Sequence, residues 1–269
     1  MIFAGSPLWL DFVLRLAICA AGFELGRLGG RRALARAGAG DGAPDDSDGL
    51  ETYAISGVFG LLALLMAFSF GMALDRYEER RALVVAEANA LGTFASRVEL
   101  LEPADAAAVR ALLAKYGAAR LTFGNVRGVD ALDEAFRKGD ALHARIGALI
   151  YASLARTPPD PRGPALLQPY NEAGDLAAER LAAREARLPD PVLALLVLFC
   201  VAGATLLGYH GAAQRRTHRT ASLVFLALLA IAFITVLDLD RPRGGAILVP
   251  QEAMVRQVEA LQAAAVRGG

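Results

Sequence analysis

Uncharged positions in this chain gather into long runs, separated by stretches with helical spacing. Thr52 to Leu74 is a run of 23 uncharged residues that breaks abruptly into Asp75-Arg76-Tyr77-Glu78-Glu79-Arg80-Arg81. A helix needs roughly 20 apolar residues to cross a hydrocarbon core about 30 Å thick. Pro191–Gln214, marked only by His210, and Thr220–Leu237 are further runs of this kind. The stretch from Leu8 to about Leu25 is interrupted by Asp11, Arg15 and Glu24. Asp11 and Arg15 stand one helical turn apart, so each can neutralise the other. The stretch lacks the basic start and cleavage site of a signal peptide. Leu16-Ala17-Ile18-Cys19 is a poor lipidation signal, with Ile before the cysteine. The reading is a span carrying its own ion pair. Four spans are therefore expected, near residues 7–26, 52–75, 190–210 and 220–239.

The residues between the second and third spans have soluble-protein patterning. Arg76–Leu101 continues the second span as a helix, with Val84, Ala88, Leu91, Ala95 and Val98 on one stripe. Pro103 and Asp105 suit the first turn of a new helix, carrying Val109, Leu112, Leu113, Tyr116 and Phe123. A third covers Asp130–Leu154, with Leu132, Phe136, Leu142, Ile146, Leu149 and Ile150 on its apolar side. Thr157 to Pro164 breaks the chain, and a fourth helix near Ala165–Arg187 leads to Pro189 and Pro191. No strand-like alternation of any length occurs. The expected fold is all-α, with four transmembrane helices and a central extramembrane helical bundle. Residues 1–75 hold the first two spans and a short basic loop, and 76–189 the bundle. Residues 190–240 hold the last two spans, and 241–269 a tail with an amphipathic helix near Gln251–Val266.

Composition narrows the function. The formal net charge is zero and there is no basic stripe, which removes the electrostatic footprint of nucleic-acid binding. Lys115 and Lys138 are the only lysines; with the surplus of Ala and Gly, this reflects GC-rich bacterial codons. Cys19 and Cys200 fall in apolar segments and read as small buried hydrophobes. Neither His143, His210 nor His218 stands at metal-ligand spacing from a Cys, Asp or Glu. No nucleophile elbow occurs, and Gly26-Arg-Leu-Gly-Gly30 has the wrong spacing and context for a phosphate loop. Asp41, Asp45, Asp46 and Asp48 lack the alternate-oxygen pattern of a calcium loop, and 27–50 reads as a solvated connector. The chain is expected to be no enzyme and to hold no cofactor. Its partners are membrane lipid, small ions and further copies of itself.

Two features of the spans carry candidate chemistry. On the second, Phe59, Ala63, Met66, Phe70 and Tyr77 share one face, and Gly57, Gly60, Ala67 and Gly71 another. Small residues let helices approach closely, so the glycine face is expected against a neighbour. The bulky face has two readings: an apolar constriction that gates ions by dewetting, with Phe59, Ala63, Met66 and Phe70 lining a pore, or side chains touching lipid or core. Where the second and fourth spans end, Asp75, Arg76, Glu79 and Arg80 emerge on the same side as Asp238, Asp240, Arg241 and Arg243. Asp238 and Asp240 are expected either to pair with Arg76 and Arg80 or to be solvated separately among headgroups.

The string Leu61–Gly92, LLALLMAFSFGMALDRYEERRALVVAEANALG, resembles a stretch of a bacterial membrane family described as bestrophin-like, as do Glu24-Leu-Gly-Arg27 and Leu237-Asp-Leu-Asp-Arg-Pro-Arg243. The resemblance covers most of the chain in order. Through it, the chain is linked to bestrophins, pentameric chloride-selective channels whose second transmembrane helix lines a pore narrowed by bulky apolar side chains. That implies a homo-oligomeric channel favouring anions, with Phe59, Met66 and Phe70 at the constriction. The chain departs in lacking an acidic calcium clasp and in having Trp9 as its only tryptophan. The rival expectation is a non-conducting membrane scaffold or sensor whose bundle binds a partner.

Orientation follows from the short loops, which carry most topological information. Arg27, Arg31, Arg32 and Arg36 lie in one, and Arg215, Arg216 and Arg219 in the other. Arg76, Arg80, Arg81, Arg180, Arg184 and Arg187 argue the opposite way, but belong to the long domain. The expectation is an inner-membrane protein with 27–50 and 211–219 cytoplasmic, and the bundle and both termini periplasmic. Bestrophins have this domain in the cytosol. Reporter fusions at Gly42 and Gly269 should report cytoplasm and periplasm respectively; a cytoplasmic Gly269 would reverse the orientation.

Overall fold

A computed structural model describes residues 8–37, 47–156, 158, 160–213 and 219–267. Their regular structure is helical, with no strand among the described residues. The helices are α1 (Leu8–Ala37), α2 (Ser47–Val98), α3 (Pro103–Asn125), α4 (Val129–Leu154), α5 (Arg162–Glu185), α6 (Asp190–Ala213), α7 (Arg219–Asp240) and α8 (Glu252–Arg267). They divide into two compact units, Met1–Asp75 with Arg187–Ala246 and Arg76–Ala186 with Ile247–Gly269. Three stretches are long and apolar enough to cross a membrane: Thr52–Val98, Arg162–Ala212 (whose apolar part is α6) and Thr220–Asp240. Charge-interrupted α1 is not among them. The stretch 27–50 differs from a plain connector, since α1 runs on to Ala37 and α2 begins at Ser47. Asp41, Asp45, Asp46, Arg215, Arg216 and His218 lie outside the described residues, as do the side chains of Asp48 and Arg219.

In the first unit α1 lies directly on α6. Gly22, Gly26 and Gly30 recur at four-residue intervals along α1 and face α6. A Cβ at Gly26 would land on the Thr205 carbonyl, and one at Gly208 on the carbonyl of Phe23. Neither helix has room for a side chain at these points. Such contact suits an apolar solvent, where helix association relies on van der Waals fit instead of water exclusion. Gly22 meets Val201 and Thr205, Gly26 meets Thr205 and Tyr209, and Gly30 meets Tyr209 and Ala212. The contacts advance together, so the two helices run in the same direction. Helix α7 returns the other way: Arg15 lies over the Phe233 ring, and Asp11, a turn earlier, meets Arg241.

In the second unit one core joins the last turns of α2 to α3, α4, α5 and α8. Pro103 opens α3 at its first turn, where a missing N–H costs nothing. Helix α2 buries Val84, Ala88, Leu91, Phe94 and Val98, and α3 buries Val109, Leu113, Tyr116 and Phe123. From α4 come Leu142, Ile146 and Ile150, while Leu149, expected on the same stripe, is 36% exposed. That stripe runs through Ala135, Gly139 and Ser153 instead. Helix α8 buries Met254, Val258 and Leu261 on this core. Each fully buried Leu, Ile or Phe adds about 1.5–3 kcal/mol.

Substituting Gly26 by alanine should lower the melting temperature in detergent, by the equivalent of about 1–3 kcal/mol for an overpacked contact. Gly29→Ala is the matched control, because its new methyl would meet only the Tyr209 ring, at 3.6 Å. Equal melting temperatures for the two variants would show that α1 and α6 can separate freely.

Candidate pore-lining helix and buried charges

Helix α2 enters the first unit with one side committed. Leu62, Ser69 and Ala73 are buried, and Phe59 and Met66 half-buried. Phe59 stacks edge-on against Phe225 of α7, with ring centroids 5.1 Å apart. Its ring also fills the space beside Gly203 of α6, where a Cβ would sit 2.9 Å from it. Of the four candidate lining residues, Phe59 is thus engaged inside its own chain. Ala63 and Phe70 are exposed, Phe70 to 41%. The expected glycine face has no partner helix among the described residues: a Cβ at Gly57, Gly60 or Gly71 would meet nothing within 4 Å. Leu61, Leu64 and Phe68, on the next face round, are exposed as well.

Several ionisable groups of this unit are buried, among them Asp11, Arg15, Asp238, Asp240 and Arg241. Asp11 Oδ1 lies 3.2 Å from Arg15 Nη1, and its Oδ2 accepts a hydrogen bond from Arg241 Nη2 at 2.6 Å. The Arg15 guanidinium stands 4.8 Å from the Phe233 ring centroid, a cation–π contact favoured by desolvation. Asp240 accepts from the Leu188 N–H through Oδ1 (2.8 Å) and from Arg187 through its carbonyl (3.0 Å). Asp238 Oδ2 accepts from the Ala246 N–H at 3.2 Å. These two carboxylates therefore fasten the start of α6 and the chain after α7 to the end of α7. Their expected partners Arg76 and Arg80 belong to the second unit, where Arg80 Nε donates to the Arg76 carbonyl (3.1 Å).

The second unit hides a charge cluster that periodicity alone did not single out. Glu87 is fully buried and accepts from Arg120 Nε at 2.5 Å and from Arg180 Nη1. Arg180 Nη2 donates to Gln251 Oε1 (3.1 Å), and Arg120 Nη2 to the Ala177 carbonyl (3.4 Å). Burial pulls the Arg180 pKa below its usual value, with Glu87 pulling the other way. The Phe123 ring receives Arg120, Arg180 and Arg184 at 4.4, 5.5 and 5.3 Å from its centroid. Arg184 also donates to the carbonyls of Phe123 and Val126, at an end of α3 where helical partners run out. A signal was present in the sequence. Glu87 lies between Val84 and Leu91, Arg120 between Tyr116 and Phe123, and Arg180 follows Ala173 and Ala177, each on a buried stripe.

His143 is a clip between α4 and α5. Its Nε2–H donates to the Tyr170 carbonyl at 2.9 Å, and its ring stacks on that of Tyr170 at 4.1 Å. Burial raises the phenol pKa of both Tyr170 and Tyr116, and the Tyr116 hydroxyl donates to the Ala173 carbonyl (3.3 Å). Among the described residues no three His, Cys, Asp or Glu groups converge to hold a metal ion.

The model of the Bestrophin-like domain matches residues 30–254 of the chain. Solved structures of a bacterial Bestrophin homolog from Klebsiella pneumoniae share its fold. One carrying a tryptophan-to-alanine mutation is 12% identical, with a TM-score of 0.69 over 98% of this chain and 100% of that one. Another, with a tyrosine-to-alanine mutation, is 13% identical, with a TM-score of 0.67 over 96% and 99%. The structure solved by Zn-SAD phasing is 12% identical, with a TM-score of 0.66 over 95% and 98%. No curated protein matches the chain.

Replacing Glu87 by glutamine should destabilise the second unit by about 3–5 kcal/mol, because it leaves buried arginines without their counter-charge. Urea unfolding followed by tryptophan-independent circular dichroism measures this. Glu99→Gln, which removes an exposed partner of Arg110, should cost under about 1 kcal/mol.

Proposed function

The chain belongs to the Bestrophin-like family, a family of membrane channels, and from that premise we propose that it is an oligomeric ion channel whose conduction path is walled by α2. The observation that carries this is the bare side of α2. Ala63 and Phe70 are exposed, and the backbone at Gly57, Gly60 and Gly71 faces open space within the chain. The described residues of a single chain leave that side uncovered, whereas a ring of copies turns it toward a neighbour or a central path. In such a ring Ala63, Met66 and Phe70 form successive apolar girdles, and a narrow apolar girdle resists wetting without carrying charge. Phe59 backs this wall through Phe225 and Gly203. Anions are favoured by the resemblance to bestrophins.

The same reading takes α1 as a fourth span. Its direction, parallel to α6 and opposed to α7, is the one a first span needs if each of these helices crosses. Asp11 and Arg15, which weaken its apolar character, are matched to one another and to Arg241. The bundle lies outside the bilayer, and the arginines of the two short loops favour its periplasmic side in an inner membrane.

Two measurements test the proposal. Purified protein in detergent should have a mass several times that of one chain, since four such spans cannot enclose a pore alone. In liposomes, Phe70→Ala should raise ion flux several-fold and loosen selectivity, because a smaller side chain widens and hydrates the girdle. Leu61→Ala, at a position 54% exposed on another face, should leave flux unchanged. A folded oligomer that conducts no better than empty liposomes, in wild type and Phe70→Ala alike, would replace the channel with a membrane scaffold or sensor.

A further inference from the structure

The chain has two cysteines, far apart in sequence and on different helices, Cys19 on α1 and Cys200 on α6. Folding brings them together. Both are free and buried, and both line one small cavity with Arg15, Ile18, Val197, Leu229, Ala230 and Phe233. Cys19 lies one turn before Gly22, whose missing side chain leaves room for Val201 and Thr205 of α6. We infer that Cys19 and Cys200 form an oxidisable pair, a disulfide site that latches α1 to α6 and takes a quinone-class, lipid-soluble compound as its oxidant.

The class of oxidant follows from the walls. Ile18, Val197, Leu229, Ala230 and Phe233 are apolar, and the helices that supply them belong to the unit with the uncharged spans. Charged oxidants such as a glutathione disulfide are excluded from such surroundings, while an apolar quinone partitions into them. The reaction balances without another reagent. Two S–H bonds break, one S–S bond forms, and the two electrons and two protons pass to the quinone, which leaves as the hydroquinone. Attack requires a transient thiolate. Arg15, one turn before Cys19 on the same wall, supplies the positive charge that stabilises it. The product is neutral and suits the cavity better than any charged form of the pair. This inference is independent of whether the chain conducts.

The test uses the reduced full-length protein in detergent, treated with duroquinone, whose methylated ring gives thiols no open position for addition. The expected result is loss of both alkylatable thiols on denaturation, a mass lower by two hydrogens, and no covalent dimer. The melting temperature should rise by roughly 5–10 °C, as for a typical long-loop disulfide in a chain of this size. A phosphine reductant should reverse all of these changes. Cys19→Ser and Cys200→Ala, each keeping one thiol, should show neither the mass loss nor the thermal shift. Both thiols still alkylatable after prolonged treatment, or crosslinks only between chains, would overturn the site. Thiol loss without a reversible thermal shift would overturn the latch.

Discussion

The approach of α1 to α6 at Gly26 and Gly208, with nothing between the two backbones, governs the arrangement of the first unit. Helices this close lock into one relative rotation, because turning either would drive a carbonyl or a side chain into its neighbour. With the rotation set, the remaining faces of α1 have defined duties. Arg15 comes over Phe233, Asp11 reaches Arg241, and Cys19 lines one cavity with Cys200. A polar network and a thiol pair thus inherit their geometry from a contact made only of backbone and small atoms. The alternation of small positions on α1, and not its modest hydrophobicity, identifies it as a packed helix.

The second unit is organised by the opposite device. A lone buried carboxylate, Glu87, draws Arg120 of α3 and Arg180 of α5 to α2, and Gln251 ahead of α8 completes the set. Such clusters are weak sources of net stability, since desolvation offsets much of the attraction. What they supply is discrimination. An apolar stripe can slide by a turn and still be buried, whereas Glu87 has partners in one register only. The aromatic face of Phe123, shared by the neighbouring arginines, adds a second requirement on the same register.

Much of this is legible in the sequence. The apolar runs and their abrupt charged ends delimit α2, α6 and α7, and Pro103 marks the start of α3 where the chain turns. Membership of the family was readable in Leu61–Gly92 and the flanking strings. What eluded the sequence depended on rotation about helix axes. Phe59 and Phe70 share a face by spacing, yet one is claimed by Phe225 and the other is exposed, because α6 and α7 cover only part of α2. Leu149 looks equivalent to Ile150, but a difference of one residue is a rotation of about 100°. Gly26, Gly29 and Gly30 lack the spacing of a phosphate loop, and the four-residue rhythm of Gly22, Gly26 and Gly30 is the clue to helix packing. Glu87, Arg120 and Arg180 each interrupt an apolar stripe, and polar residues in such positions imply partners that one helix alone cannot reveal.

The pairing of Asp11 with Arg241 also sets an order of events in biosynthesis. The two residues are 230 positions apart, so at about 5–20 residues per second a ribosome needs roughly 10–45 s to make the second after the first. Through most of that interval α1 exists without α6 and α7, and through all of it without Arg241. A charged side chain at the centre of a lone helix costs about 2.5–3.5 kcal/mol in membrane insertion, and Asp11 and Arg15 then have only each other. If α1 crosses the bilayer as proposed, it waits at the interface or beside the insertion machinery and settles when the last helices arrive. The earliest-made of these eight helices would then be the last to reach its final place.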